Sequence, residues 1–388
     1  MCENIESVPD WLNEHFLEKN LRNHFKNDEI NVINFNVNVA TAKEGRSVYR
    51  VTVSFGVSLV GEENCHLIVK EASSIADYLD ASSKEISFYD EIVAKFNEKL
   101  DDVGEPELFP EVFGVCKEKN LITLGDLSAK GYQILPANRG FNIFEAKSIL
   151  KRMAVFHAIS AVLQEEDANI FANYKYGRLC RETNQIYAEN LKVVTDVVSK
   201  WPNFAVYAEK LRRLYGEIIE RAHQTYDVNP NHFNTLNHDS LCSEHLMVRT
   251  ENSTEDSPIE NTVFIGFQHS CWGSPTLDLH YFLNTSIDEA YRPQRFDELV
   301  LFYYEHLVNF LKQLKYKNRI PIWTEFQNQY HERNILGFIF SCLVEPFNDI
   351  LVNNEVELKA RRDFYKDETT QANLRNIILY YDQLGTFD

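Results

Sequence analysis

Lys70 closes an apolar run, Cys65-His66-Leu67-Ile68-Val69, and Glu85 opens the next helical pattern fifteen residues on. A lysine at a strand end, held by a glutamate from the following helix, can neutralise nucleotide phosphates. Much later comes Leu236-Asn237-His238-Asp239-Ser240-Leu241-Cys242-Ser243-Glu244-His245-Leu246-Met247, and then Val263-Phe264-Ile265-Gly266-Phe267-Gln268. A polar turn, a short apolar strand, an acidic loop and a second short strand form a frame on which phosphoryl transfer places its base and its metal ligands. That chemistry needs an aspartate to orient the attacking hydroxyl, and an Asn and an Asp to hold magnesium. Between His238 and Met247 the acids are Asp239 and Glu244. Lys70 and Glu85 equally fit an ordinary exposed lysine and a helix-surface glutamate.

The segment ahead of Lys70 should be glycine-rich if its N–H groups are to approach phosphates. Ala40-Thr41-Ala42-Lys43-Glu44-Gly45-Arg46-Ser47 keeps one glycine. Gly45 and Ser47 could donate hydrogen bonds, while Glu44 would repel phosphate. A soft-metal site built from Cys242, His245 and His238 matches no standard zinc spacing. His157 lies on the apolar face of a helical pattern and reads as a structural histidine.

These residues need elements to position them. Pro9 to about Phe25 has helical spacing. Ile30 to Val39, Arg46 to Leu59 and Cys65 to Lys70 read as strands. A helix is expected over Ser82 to Leu100, and short strands over Phe109 to Cys116 and Leu121 to Leu124. Helices fit Phe144 to Leu163, Asn173 to Ser199, Phe204 to Tyr226, Phe296 to Leu314, Trp323 to Val344 and Val356 to Leu384. Glu251 to Glu260 reads as an acidic surface loop. The pattern predicts an α+β chain of two lobes. Residues 1–127 form a small antiparallel-sheet lobe with an N-terminal and an internal helix. Residues 128–388 form a larger helical lobe.

The chain has 388 residues, 44% of them hydrophobic and 13% aromatic, which is enough for two sizeable cores. A formal net charge of −19 argues against nucleic acid or an anionic membrane as partner. The seven cysteines are scattered and form no Cys-x-x-Cys pair, as expected of free thiols in the cytoplasm. No signal core and no long apolar run is present, so no membrane span is expected.

Several short patterns occur together in order. They are Pro9-x-Trp11-Leu12, Tyr49-Arg50-Val51, Ile68-Val69-Lys70, Glu85-x3-Tyr89 and Asp126-Leu127-Ser128-x2-Gly131-Tyr132. His157-Ala158-x-Ser160, Leu236-Asn237-His238, Phe267-Gln268 and Gly273-Ser274-Pro275-x-Leu277-Asp278-Leu279-x-Tyr281-Phe282-Leu283 follow. From Pro9 to about Tyr316 the chain resembles the insect ecdysteroid kinase-like family, also called CHK-kinase-like, related to choline and aminoglycoside kinases. The resemblance implies a protein-kinase-like fold. It also implies ATP- and magnesium-dependent phosphorylation of a hydroxyl on a small molecule such as a steroid. It places Asp126 in the hinge beside the nucleotide and gives Asp278 the task of bracing the catalytic loop.

Against the family's His-Gly-Asp-x-Trp-x-x-Asn, this chain has His238, then Asp239 for Gly, Ser240 for the catalytic Asp, Cys242 for Trp and His245 for the metal-binding Asn. The metal-binding Asp of Asp-Phe-Gln becomes Gly266. Serine cannot take up a proton near neutral pH. Gly266 offers no ligand, and magnesium prefers hard oxygen to a histidine nitrogen. Asp239, one residue early, could serve as a substitute base, and Glu244 as a substitute metal ligand. A one-residue slip in an extended segment, however, turns a side chain the other way. Three readings remain open: a degenerate kinase-like protein with a small-molecule pocket, an active O-phosphotransferase, and an interaction scaffold.

Overall fold

A computed structural model of the chain describes residues 8–43, 46–57, 61–71, 81–136, 139–179, 185–250, 258–344 and 363–388. It divides into two compact units. The first comprises Met1–Ile134 and Leu246–Gln268, the second Leu135–His245 and His269–Asp388. The first unit thus runs past the expected boundary at 127, and the segment 246–268, expected in the helical lobe, belongs to the sheet-rich unit.

In the first unit five antiparallel strands pair in the order β1-β2-β3-β5-β4. They are β1 (Asn31–Lys43), β2 (Arg46–Val57), β3 (Gly61–Glu71), β4 (Val112–Cys116) and β5 (Leu121–Gly125). The alternation read from the sequence has a physical counterpart: Val51, Val53, Leu67 and Val69 are buried on one face. They pack with Leu17 and Leu21 of the helix Glu14–Phe25. That helix starts at Glu14 and not at Pro9, because the Asn13 side chain accepts the Phe16 N–H and caps it there. A second sheet pairs β6 (Gln133–Ile134), β8 (Leu246–Thr250) and β9 (Ile259–Phe264) in the order β6-β8-β9. The helix expected over Ser82 to Leu100 runs from Ala81 to Val103 with a π-turn at Phe88–Ile92.

The second unit is mainly helical. Its central helix, Ile143–Glu166, is apolar around most of its circumference and correspondingly buried, and a capping box of Asn142 and Glu145 starts it. The two-stranded sheet of β7 (Thr235–Asn237) and β10 (Cys271–Gly273) carries the polar loop at one end. The helix Thr276–Thr285 follows, almost wholly buried. Four helical expectations need correction, among them Val356 to Leu384, which is interrupted at 365–367 before the helix Glu368–Gln383. Of the helix expected from Asn173, the described part is Gln185–Val198, and residues 174–177 are irregular backbone. The stretch from Phe204 to Tyr226 is two helices, Ala205–Leu214 and Ile218–Gln224. Trp323 to Val344 likewise breaks after His331. Gly45, residues 251–257 of the acidic loop, Leu59 and residues 345–362 lie outside the described residues. Among the described residues no helix is long and apolar enough to cross a membrane.

Candidate functional site

In the first unit, β3 alternates so that Leu67 and Val69 face the core and Lys70 does not. Lys70 Nζ donates to Glu85 Oε2 at 2.5 Å. Glu85 is buried while the lysine side chain keeps 24% exposure. One turn on, burial and the Glu85 carboxylate hold the Tyr89 phenol well above its usual pKa. The Gly266 N–H supports that phenol oxygen. Gly266 has φ +84°, a conformation suited to glycine. The next residue, Phe267, stacks on Phe88 at 3.7 Å and 10°. The metal-loop frame is therefore docked by its aromatic ring, while no carboxylate stands at position 266.

Asp126 does not stand free. Its Oδ2 lies 2.7 Å from Arg50 Nε, and its Oδ1 accepts the Ser128 N–H at 2.9 Å. Ser47 pairs across the β1–β2 ladder with Ala42.

In the second unit the polar loop hangs from Asp278, in the first turn of its buried helix. Asp278 Oδ2 accepts the His238 N–H at 2.8 Å, and Oδ1 accepts the Asp239 N–H at 2.6 Å. His157 Nε2 lies 3.0 Å from Oδ2. A carboxylate only accepts, so the His157 proton sits on Nε2, leaving Nδ1 to accept from the Tyr303 hydroxyl at 2.6 Å. Ser160, from the same helix as His157, donates to the His157 carbonyl and accepts the Leu236 N–H.

Asp239 takes φ +57°, a left-handed conformation that Asp tolerates better than most residues. This turns its side chain inward, where it is fully buried. Oδ2 accepts the Arg178 backbone N–H, and Oδ1 accepts the Tyr226 hydroxyl at 2.8 Å. A Cβ on Gly177 would collide with Asp239 Oδ2 and with the Tyr226 ring, so only glycine fits beside this carboxylate. Burial pushes the Asp239 carboxyl from 3.8 up to about 7. The Arg178 N–H pulls it down and the Asp278 charge adds to the rise.

At Ser240 the local charge is reversed from what a catalytic base requires. The Arg178 guanidinium donates to Ser240 Oγ at 2.8 Å and lies 4.9 Å over the Tyr281 ring. His245 Nδ1 lies 2.6 Å from the Ser240 carbonyl oxygen and 3.1 Å from its Oγ. Since that carbonyl can only accept, Nδ1 carries a proton and is unavailable as a ligand. Burial raises the Cys242 thiol above its usual pKa, which disfavours the thiolate a soft metal would need. Glu244 is exposed on the Ser243–His245 turn.

With this geometry in view, a model of the ecdysteroid kinase-like family matches residues 46–316. The chain belongs to that family. Among solved structures it is similar to a spectinomycin phosphotransferase in complex with ADP and spectinomycin, at 12% identity and a TM-score of 0.46, covering 96% of this chain and 99% of that one. It is similar to a Plasmodium vivax ethanolamine kinase at 13% identity and a TM-score of 0.36, covering 87% and 83%. It is also similar to a choline kinase from Streptococcus pneumoniae at 12% identity and a TM-score of 0.34, covering 83% and 98%. Likeness of this degree decides nothing about what this chain binds. The curated proteins contain no match.

The family's two cofactors fare differently on these residues. Lys70 with Glu85 fits a nucleotide phosphate. Magnesium does not fit, because position 266 has no side-chain oxygen and His245 offers only a nitrogen where a hard oxygen is needed. Among the described residues no three His, Cys, Asp or Glu side chains cluster as a metal would need. Asp239 and Glu244, the two substitutes weighed against the one-residue slip, are respectively enclosed by protein groups and exposed. Gly177, Arg178, Tyr226 and Tyr303 were not singled out from the sequence. A glycine inside the supposed helix at Asn173 was the one warning that this segment is irregular and available for a close approach.

Proposed function

We propose that this chain is a catalytically degenerate member of its family. It keeps the fold, binds a small molecule, and transfers phosphoryl groups very slowly or not at all. The observation that carries this reading is the enclosure of Asp239. Its carboxylate is fully buried and taken up by the Arg178 N–H and the Tyr226 hydroxyl, while Ser240 meets a guanidinium. A base must reach the proton it abstracts, and this one is consumed inside the fold.

The Lys70–Glu85 pair supports retention of nucleotide binding without metal. A cavity of about 670 Å³ in the second unit, bordered by Phe233, Asn234, Trp272, Tyr316 and Gln329, supports a small-molecule ligand. Thermal unfolding with ATP, with and without magnesium, tests this. The expected result is a shift that needs no magnesium and disappears in Lys70→Met. A shift that requires magnesium would contradict the reading.

A second reading, an active O-phosphotransferase with Asp239 as base, has one observation in its favour. A carboxyl that titrates at about 7 matches the range suited to a general base.

A further inference from the structure

We propose that the second unit carries a binding site for a phosphate-type dianion, built from Arg333, Arg221 and Thr386. None of these residues belongs to the 236–247 loop. They border a pocket of about 260 Å³ between the end of the helix Ile218–Gln224, the break after His331 and the turn Leu384–Thr386.

Arg333 is 5% exposed. Its Nε donates to the Thr225 carbonyl and its Nη1 to the Gln329 carbonyl, both at 3.0 Å. Its carboxylate neighbour is Glu332, with Oε2 3.7 Å from Nη1 on a side chain that is 54% exposed. Among the described residues nothing accepts a hydrogen bond from Nη2. Burial holds this guanidinium below its usual pKa, the sign of a cation short of countercharge. Arg221 Nη2 donates to the Thr386 carbonyl at 2.7 Å and has no carboxylate partner among the described residues. The Thr386 hydroxyl is buried with no hydrogen-bond partner.

Arg221 without a carboxylate partner and Arg333 with only the half-exposed Glu332, 3.7 Å away, share one pocket of a chain with net charge −19. An oxyanion would take the free guanidinium hydrogens and the orphan hydroxyl together. Helix C-terminal capping accounts for Nε and Nη1 of Arg333. It leaves Nη2, the second arginine and the threonine hydroxyl without a role. Glu332 is the one acid on the pocket and sets a preference for ligands that keep clear of its side.

The test compares thermal unfolding of the full chain in sodium phosphate and in sodium chloride of matched ionic strength. It is paired with an NMR titration that follows the arginine Nε–H signals. Phosphate is expected to raise the unfolding temperature saturably. Thr386→Val should leave the phosphate-free chain as stable as before yet weaken phosphate binding. Arg221→Gln should weaken it about tenfold or more, as loss of a charge-assisted hydrogen bond requires. Lys70→Met should leave it unchanged. Tighter binding of glycerol 3-phosphate than of inorganic phosphate would assign the site to a phosphoester, and the reverse order to the free ion. Absence of a saturable shift would overturn the proposal. So would a shift that survives both Thr386→Val and Arg221→Gln, or one removed by Lys70→Met alone.

Discussion

The Arg178 guanidinium donates to the Ser240 hydroxyl at 2.8 Å, at the position where the family's catalytic aspartate would stand. Ser240→Asp therefore installs a carboxylate against a guanidinium and not a free base. The expected outcome is that this substitution alone yields no ATP-dependent phosphorylation above background. Adding Gly266→Asp meets a second obstacle. A φ of +84° costs a non-glycine residue about 1–2 kcal/mol, so the double variant should unfold at a lower temperature than Ser240→Asp.

Asp278 is the post on which the loop is mounted. Asp278→Ala strands two buried backbone N–H groups and His157, and should cost about 3–5 kcal/mol in denaturant unfolding. Tyr303→Phe removes only the outer hydroxyl of the relay and should cost about 1 kcal/mol. Similar losses for the two would show that the relay does not carry the loop.

Gly177 is required by contact with Asp239. Gly177→Ala should destabilise by about 1–3 kcal/mol through overpacking. In the background of Asp239→Ala, which removes the carboxylate clash and leaves that with the Tyr226 ring, the same change should cost less. Equal costs in both backgrounds would break the link between the two residues.

Asp239 gives the chain a pH signature. Its carboxyl binds a proton more tightly in the folded state, at about 7, than at its ordinary 3.8. Its contribution to stability is then fully present below the ordinary value and is lost as pH rises through about 7. Asp239→Asn does not titrate. The stability of the wild type relative to this variant should fall steadily from about pH 4 to about pH 8. A difference that stays flat would contradict the enclosure of the carboxylate.

Much of this was readable from residue types and spacing. Lys70 and Glu85 sit on a strand and a helix whose periodicities are strong, so their pairing follows once those elements pack. The place of Asp278 came from the resemblance of the run Gly273 to Leu283 to the family's pattern, and from Thr276 onward that run is one buried helix. The environment of Asp239 was not readable. Arg178, 61 residues away, and Tyr226, 13 residues away, reach it from irregular or helix-end backbone, and no periodicity connects 178, 226 and 239. Left-handed backbone at Asp239 turned its side chain inward, an outcome that depends on Gly177 leaving room. The pocket of Arg221, Arg333 and Thr386 was hidden for the same reason, since both of its arginines lie in stretches whose spacing suggested only continuous helices.

The most direct measurement is transfer of labelled γ-phosphate from ATP, with magnesium, by the wild type and by Asp239→Asn. A degenerate site predicts turnover at background level in both. Magnesium-dependent turnover in the wild type that Asp239→Asn abolishes would contradict the account and make Asp239 a working base.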